Sequence, residues 1–191
     1  MNSKDLINIG IFSTLYLVAN IICSSLVIVP IMQIVMLPLA ALICAPIYLL
    51  YIAKVGKKGS ILALGLIYST VSGLLVFGNV FCFLVNLIFF LFSEGIACIG
   101  KYKNEKLNNL SYMVAIFSTL GEVGILWYDF DYYYSVTVAS GYSVEFAKGL
   151  EAFTSLRVFS LMVVATIICS LFSIWIAKRL FNKHFKKAGI I

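Results

Sequence analysis

The sequence predicts an all-α, polytopic membrane protein of six transmembrane helices with both termini on the cytoplasmic side. Three observations carry this. Apolar residues make up 62% of the chain and the mean hydropathy is +1.05, so residues 1–191 are expected to form one transmembrane domain with no separate soluble one. Twelve of the fourteen Lys and Arg residues fall into four groups: Lys4; Lys54, Lys57 and Lys58; Lys101, Lys103 and Lys106; and Lys178, Arg179, Lys183, Lys186 and Lys187. The apolar stretches between groups are long enough to cross a bilayer once or twice. Because Lys and Arg favour the cytoplasmic side, the net charge of +6 reports topology, not nucleic-acid binding.

Residues 6–53 carry no charge. As one helix they would run roughly 72 Å at about 1.5 Å per residue, over twice the ~30 Å hydrocarbon thickness. The stretch must turn back, and Pro30, which biases Val29 away from helix, marks the turn. Spans over 6–28 and 31–53 result. The same arithmetic between Lys58 and Lys101, with Glu94 the sole charge and Gly78-Asn79 the best turn signal, gives spans over 60–78 and 80–100. Residues 110–128 and 154–177 supply one span each. The far side, expected to be extracellular, carries tight turns at Pro30 and Asn79 and one long outer segment, 129–153. The first apolar stretch lacks a small-x-small cleavage site and runs into a second span, so the N-terminus is expected to be retained. Ile22 before Cys23 rules out a lipoprotein signal.

Several function classes are disfavoured. The five cysteines, at 23, 44, 82, 98 and 169, lie inside predicted spans without a C-x-x-C pair and read as small apolar packing residues. The one histidine, His184, lies in the basic tail, and no residue set has metal-ligand spacing; neither a metal nor a cofactor is expected. Gly56-Lys57-Lys58-Gly59 lacks the length of a phosphate loop and the strand before it. Any ATP-driven transport therefore needs hydrolysis by another chain. An intramembrane enzyme would bring two acids to one depth, whereas Glu94 and Glu122 are expected about half a bilayer apart. No enzymatic activity is expected.

Polar residues inside lipid are costly unless they face protein or a wet cavity. Ser13, Tyr16, Asn20 and Ser24 share one face of the first span, Asn79, Asn86 and Ser93 one face of the fourth, and Ser111, Ser118, Glu122 and Asp129 one face of the fifth. These stripes are expected to point inward. An acid at mid-membrane costs about 2.5–3.5 kcal/mol, so each needs a polar partner or a proton. Glu94, near the cytoplasmic end, reads as a helix cap or cross-link; for Glu122, in the outer half, that role and ligand binding stand side by side.

The segment from Trp127 to Tyr134 sets six aromatic rings beside Asp129 and Asp131. An interfacial aromatic belt accounts for part of this. With Arg157 at the top of the sixth span, the same groups suit a pocket for a flat, partly polar molecule. Val144, Ala147 and Leu150 predict a short helix covering the outer mouth, with Gly141 and Gly149 as hinges. Gly10-x-x-x-Thr14, with Ser13 beside it, offers a small-residue face for close helix approach.

Three motifs carry a resemblance. Lys4-Asp5-Leu6-Ile7-Asn8-Ile9-Gly10-Ile11-Phe12, the run Glu94-Gly95-Ile96-Ala97 followed by Gly100-Lys101-Tyr102-Lys103, and the tail Lys183-His184-Phe185-Lys186-Lys187-Ala188-Gly189-Ile190 resemble the Trep/Strep family of bacterial integral membrane proteins over nearly the whole chain. That family is similar to the S components of energy-coupling factor (ECF) transporters. The resemblance implies a six-helix, multi-pass subunit of the bacterial plasma membrane that captures a vitamin-like micronutrient outside. It further implies docking on a T component carrying two ABC ATPases, with toppling of the S component delivering the substrate inward. Gly10, Ser13 and Thr14 would then form the docking face, though the family's Ala-x-x-x-Ala is replaced by other small residues. The outer-half binding region would place Asn79, Asn86, Glu122, Trp127, Tyr128, Asp129, Asp131 and Arg157 near the ligand. Haem or another tetrapyrrole is the alternative substrate, with tyrosine axial ligands and Arg157 or Lys148 meeting its carboxylates; the lack of an outer-side histidine counts against it. A passive channel or small exporter, with the polar faces lining a pore, is the alternative of a different class.

Overall fold

The computed structural model describes residues 2–26, 29–181 and 183. Of the tail motif, Lys183 is described, while residues 184–190, with His184, Lys186 and Lys187, lie outside the described residues, as do Val27 and Ile28 at the end of the first predicted span. Helix α1 (Ser3–Ser25) begins at a reciprocal cap: Asp5 N–H donates to Asn2 at 2.9 Å and Asn2 N–H to the Asp5 carboxylate at 2.7 Å. The same carboxylate pairs with Lys57 at 2.6 Å, tying the start of α1 to the loop after α2.

Helix α2 (Pro30–Val55) opens on a proline, tolerated in the first turn because no N–H is needed there. It packs against both α1 and α10 (Leu156–Leu180), with Leu37, Ala40, Ala41, Cys44, Ala45 and Tyr48 fully buried. Pro46 inside it cannot supply the N–H that the Leu42 carbonyl would otherwise accept. Ser173 of α10 donates to that carbonyl at 2.5 Å.

Helix α3 (Ser60–Ser69) runs directly into a π-helical stretch, Thr70–Val76. Both press onto α4 (Val80–Ile99) through glycines: a Cβ at Gly65 would overlap the Phe90 side chain, and one at Gly73 would meet the Phe83 backbone at 2.6 Å. Small residues permit this approach where no hydrophobic force drives helices together in lipid. Ser93 of α4 and Ser111 of α5 (Glu105–Ala115) bond to each other's carbonyls at 2.6 and 2.8 Å, and the Tyr48 hydroxyl joins both.

The fifth predicted span differs from expectation. It starts earlier, at Glu105, because the Asn104 side chain accepts from Lys106 and Leu107 N–H. It is also segmented into α5, a 3-10 turn over Ile116–Thr119, α6 (Leu120–Val123) and α7 (Ile125–Tyr128). The break falls where the segment closes on α4: a Cβ at Gly121 would overlap Asn86 and the Cys82 carbonyl.

The outer segment is more helical than predicted. Asp129 caps α8 (Phe130–Ala139) by accepting from Tyr132 N–H at 3.0 Å. Gly141, at φ 93°, turns the chain into α9 (Val144–Gly149) and a 3-10 turn over Leu150–Phe153. A Cβ at Gly149 would touch Pro30 at 3.0 Å, so this glycine lets the outer segment sit on the start of α2. Among the described residues there is no strand. Four helices, α1, α2, α4 and α10, are long and apolar enough to cross a membrane, and Ser60–Val76 is a shorter apolar helix. The cysteines are free, and Cys23, Cys44 and Cys82 are buried, in keeping with a packing role.

Candidate functional site

At the Pro30 and Asn79 end of the bundle, opposite the basic loops, a cavity of about 190 Å³ lies against α8. Helix α8 contributes Tyr132, Tyr133, Val136 and Thr137, and Ser140 and Tyr142 from the turn and Phe146 from α9 follow. The opposite walls come from Ser24 of α1, Gln33 and Met36 of α2, Val76 at the end of the π stretch and Phe77 after it, Asn79, and Ile125 of α7. Among the described residues, none that lines it is acidic or basic. Tyr142 and Phe146 stack at 4.7 Å between ring centroids, presenting paired aromatic rings.

The polar groups of the wall are neutral and partly committed. Thr137 donates to the Tyr133 carbonyl at 2.7 Å, and Ser24 to the Asn20 carbonyl at 3.0 Å. The Asn79 side-chain oxygen accepts from Phe81 N–H at 2.7 Å, which leaves its NH₂ group as a donor. Burial pushes the Tyr133 phenol above its ordinary range, against a hydrogen bond with Gln33, so it stays a neutral hydroxyl. The cavity thus offers aromatic faces and neutral hydrogen-bonding groups, and nothing to neutralise a charge.

Of the eight predicted ligand residues, Asn79 is the one that lines this cavity among the described residues. Asn86 and Glu122 are buried in a separate cluster: the Glu122 carboxyl contacts the Tyr68 hydroxyl at 2.8 Å and the Ser72 hydroxyl, and Ser72 reaches the Asn86 amide at 3.0 Å. Trp127 and Tyr128 face away from the cavity. Trp127 donates to the Ser155 carbonyl at 3.3 Å and sits edge-on to Phe159, while Tyr128 stacks on Phe81, and both line a second, open groove on the flank of α4 and α10. Asp129 is spent as the α8 cap, and Asp131 and Arg157 are exposed. Trp127, Tyr128, Asp129, Asp131 and Arg157 stand outside the cavity because the helix breaks at Asp129, and α8, which starts at Phe130, supplies the wall in their place.

Reading the sequence missed Gln33, Thr137 and Tyr142. Gln33 had a signal: it is the one glutamine in the chain, set within an uncharged span. Tyr132 and Tyr133 belonged to the aromatic run but were not separated from their outward-facing neighbours.

The chain matches, over residues 3–187, the family described as hypothetical bacterial integral membrane protein (Trep_Strep). It belongs to the Trep_Strep family. No curated protein and no solved structure matches it. The four long apolar helices accord with the family's description as integral to the membrane.

On the α1 flank of this Trep_Strep protein, Gly10 and Thr14 are exposed, and a Cβ at Gly10 would meet nothing within 4 Å. Thr14 donates back to the Gly10 carbonyl at 2.9 Å. Ser13 is buried and does not share their surface. It turns inward with Tyr16 and Asn20: at about 100° per residue it stands about 60° from Gly10 and about 100° from Thr14, on the side of the helix that faces the bundle. The other inward stripes are found in part: Asn86, Ser93, Ser111, Ser118 and Glu122 are buried, whereas Asn79 is half-buried and Asp129, beyond the end of α7, is exposed. Glu94 accepts from the N–H groups of Gly59, Ile61 and Leu62 and from the Tyr102 hydroxyl, which is the capping role expected of it.

Proposed function

We propose that the chain is the substrate-capturing S component of an ECF-type importer, with the basic end cytoplasmic and the α8 end extracellular. In this reading Ser60–Val76 and residues 105–128 are the third and fifth of six spans in the bacterial plasma membrane, both termini are cytoplasmic, and residues 1–191 act as one domain. The observation that carries it is the aromatic, uncharged cavity at the end opposite the basic loops, roofed by a helix that is not itself a span.

The lining selects the ligand class. A charged molecule would lose its hydration without gaining a counter-charge, at a cost of several kcal/mol. A neutral, ring-bearing molecule with donors and acceptors at its edge suits the rings and the Gln33, Asn79 and Tyr133 groups. Ligand sites for drug-sized molecules run about 300–1,000 Å³, so the present volume favours a small nutrient over a tetrapyrrole. The exposed Gly10 and Thr14 supply a flat strip on which helices of a T component bearing two ABC ATPases would dock.

Reconstitution tests this directly. The tagged chain, expressed in its host, is expected to retain a membrane subunit and two ATPases, and vesicles holding all four chains are expected to concentrate substrate with ATP. Concentrative uptake or ion conductance by this chain alone contradicts the proposal and favours an exporter or channel.

A further inference from the structure

Glu122 is 4% exposed, and among the described residues no cation pairs with it. Its surroundings allow its protons to be counted. The Asn86 amide is satisfied when its nitrogen donates to the carbonyls of Ser118 and of Cys82, the latter at 3.1 Å, and its oxygen faces the Ser72 hydroxyl at 3.0 Å. The reverse orientation would set the amide oxygen against two carbonyl oxygens. Ser72 has one hydroxyl proton, and Asn86 takes it, since an amide oxygen has none to give. Yet Ser72 also contacts Glu122 Oε1, to which Tyr68 donates its own proton at 2.8 Å. Every contact becomes a hydrogen bond when one further proton sits on the Glu122 carboxyl and is donated to Ser72.

We propose that Glu122 is a proton-binding site whose bound proton clamps two walls of the cavity together. Ser72 lies in the π-helical stretch that ends at the wall residue Val76, with the wall residue Phe77 next to it, and Glu122 lies one turn before the wall residue Ile125. Both segments depart from regular α-helix at this level, where π and 3-10 stretches mark hinges. Loss of the proton leaves Ser72 claimed by two acceptors and a charge without a counter-ion, which loosens both walls at once. The titratable groups acting on Glu122 are Tyr68 of α3, Cys82 of α4 and Tyr133 of α8, and none is a base. The link to ligand capture rests on the proposed function; the proton does not.

Infrared difference spectra of the protein alone in lipid nanodiscs at neutral pH, wild type against Glu122→Gln, are expected to show a protonated-carboxyl carbonyl band that vanishes on substitution. A carboxylate band in its place overturns the proposal. Glutamine keeps a donor and an acceptor at this position, so amide exchange over residues 70–77 and 116–128 is expected to stay at the wild-type rate. In Glu122→Ala, which strands the Tyr68 and Ser72 hydroxyls, exchange there is expected to accelerate by at least about tenfold; an unchanged rate overturns the clamp. The infrared band decides the matter even where the alanine variant does not fold. Neither readout uses a ligand, so a failure to bind any small molecule counts against the proposed function and leaves the proton standing.

Discussion

Glu94 Oε1 accepts the Gly59 N–H at 2.7 Å, closing the N-terminus of α3 with a carboxylate supplied by α4. The second oxygen takes the Ile61 and Leu62 N–H groups at 2.9 and 3.2 Å. A helix begins with unpaired donors, and glycine at the cap position has no side chain to meet them. An anion from the neighbouring helix satisfies them and complements the positive end of the helix dipole.

Glu94→Ala is therefore expected to destabilise the protein by about 1–3 kcal/mol, the cost of stranding buried donors, with a smaller loss in Glu94→Gln, which keeps one acceptor. Thermal unfolding in detergent measures both. An alanine variant as stable as wild type removes the capping role.

Ser173 stands in for the N–H that Pro46 lacks. Ser173→Ala is expected to cost about 0.6 kcal/mol, the average for hydrogen bonds between membrane helices, and at most about 1.7 kcal/mol. In a Pro46→Ala background, where the Leu42 carbonyl regains a backbone donor, the cost of the same substitution should shrink, and a double-mutant cycle reads the difference.

The two glycine classes separate by substitution. Gly73→Ala forces a methyl into the Phe83 backbone and is expected to lose about 1–3 kcal/mol, whereas Gly10→Ala meets empty space and should leave unfolding unchanged. Equal losses at the two sites would contradict the packing of the π stretch on α4.

Ligand affinity should follow the cavity and not the aromatic run as a whole. Gln33→Leu is expected to lose about 0.5–1.5 kcal/mol of binding, one hydrogen bond's worth, while Asp131→Asn and Arg157→Gln leave titrations with the co-purifying molecule unchanged. The reverse pattern returns the site to the exposed outer charges.

Docking is tested from the other flank. Gly10→Leu is expected to abolish ATP-dependent uptake in reconstituted vesicles while leaving ligand binding at the wild-type level, because the substitution lies on the exposed strip of α1. Loss of both together contradicts the assignment of that strip.

The helical class, the turns at Pro30 and Asn79, and the inward stripes as far as Glu122 were legible because charge spacing and seven-residue polar repeats are local properties; Asp129, exposed beyond the end of α7, falls out of its stripe. Glu94 as a cap was legible for the same reason: an acid near a helix end has few other uses. The cavity was not. Whether Tyr128 or Tyr132 faces inward depends on the reversal at Asp129, whose capping bond sends α8 back across the bundle, and nothing in the spacing of the rings encodes that turn. Glu122 and Asn86 were rightly placed inside, but burial does not say which void a side chain borders, and theirs is filled by Tyr68 and Ser72. Ser13 was misplaced by sequence adjacency to Thr14, although one residue on a helix turns the side chain by about 100°.

The mass of the small molecule retained by the purified protein, compared between wild type and Thr137→Trp, bears most directly on the cavity. A single neutral compound bound one to one by wild type and lost from the tryptophan variant, which fills the space under α8, is the expected result. A wild-type protein that retains nothing from its host, or a compound held equally by both proteins, contradicts capture in this cavity.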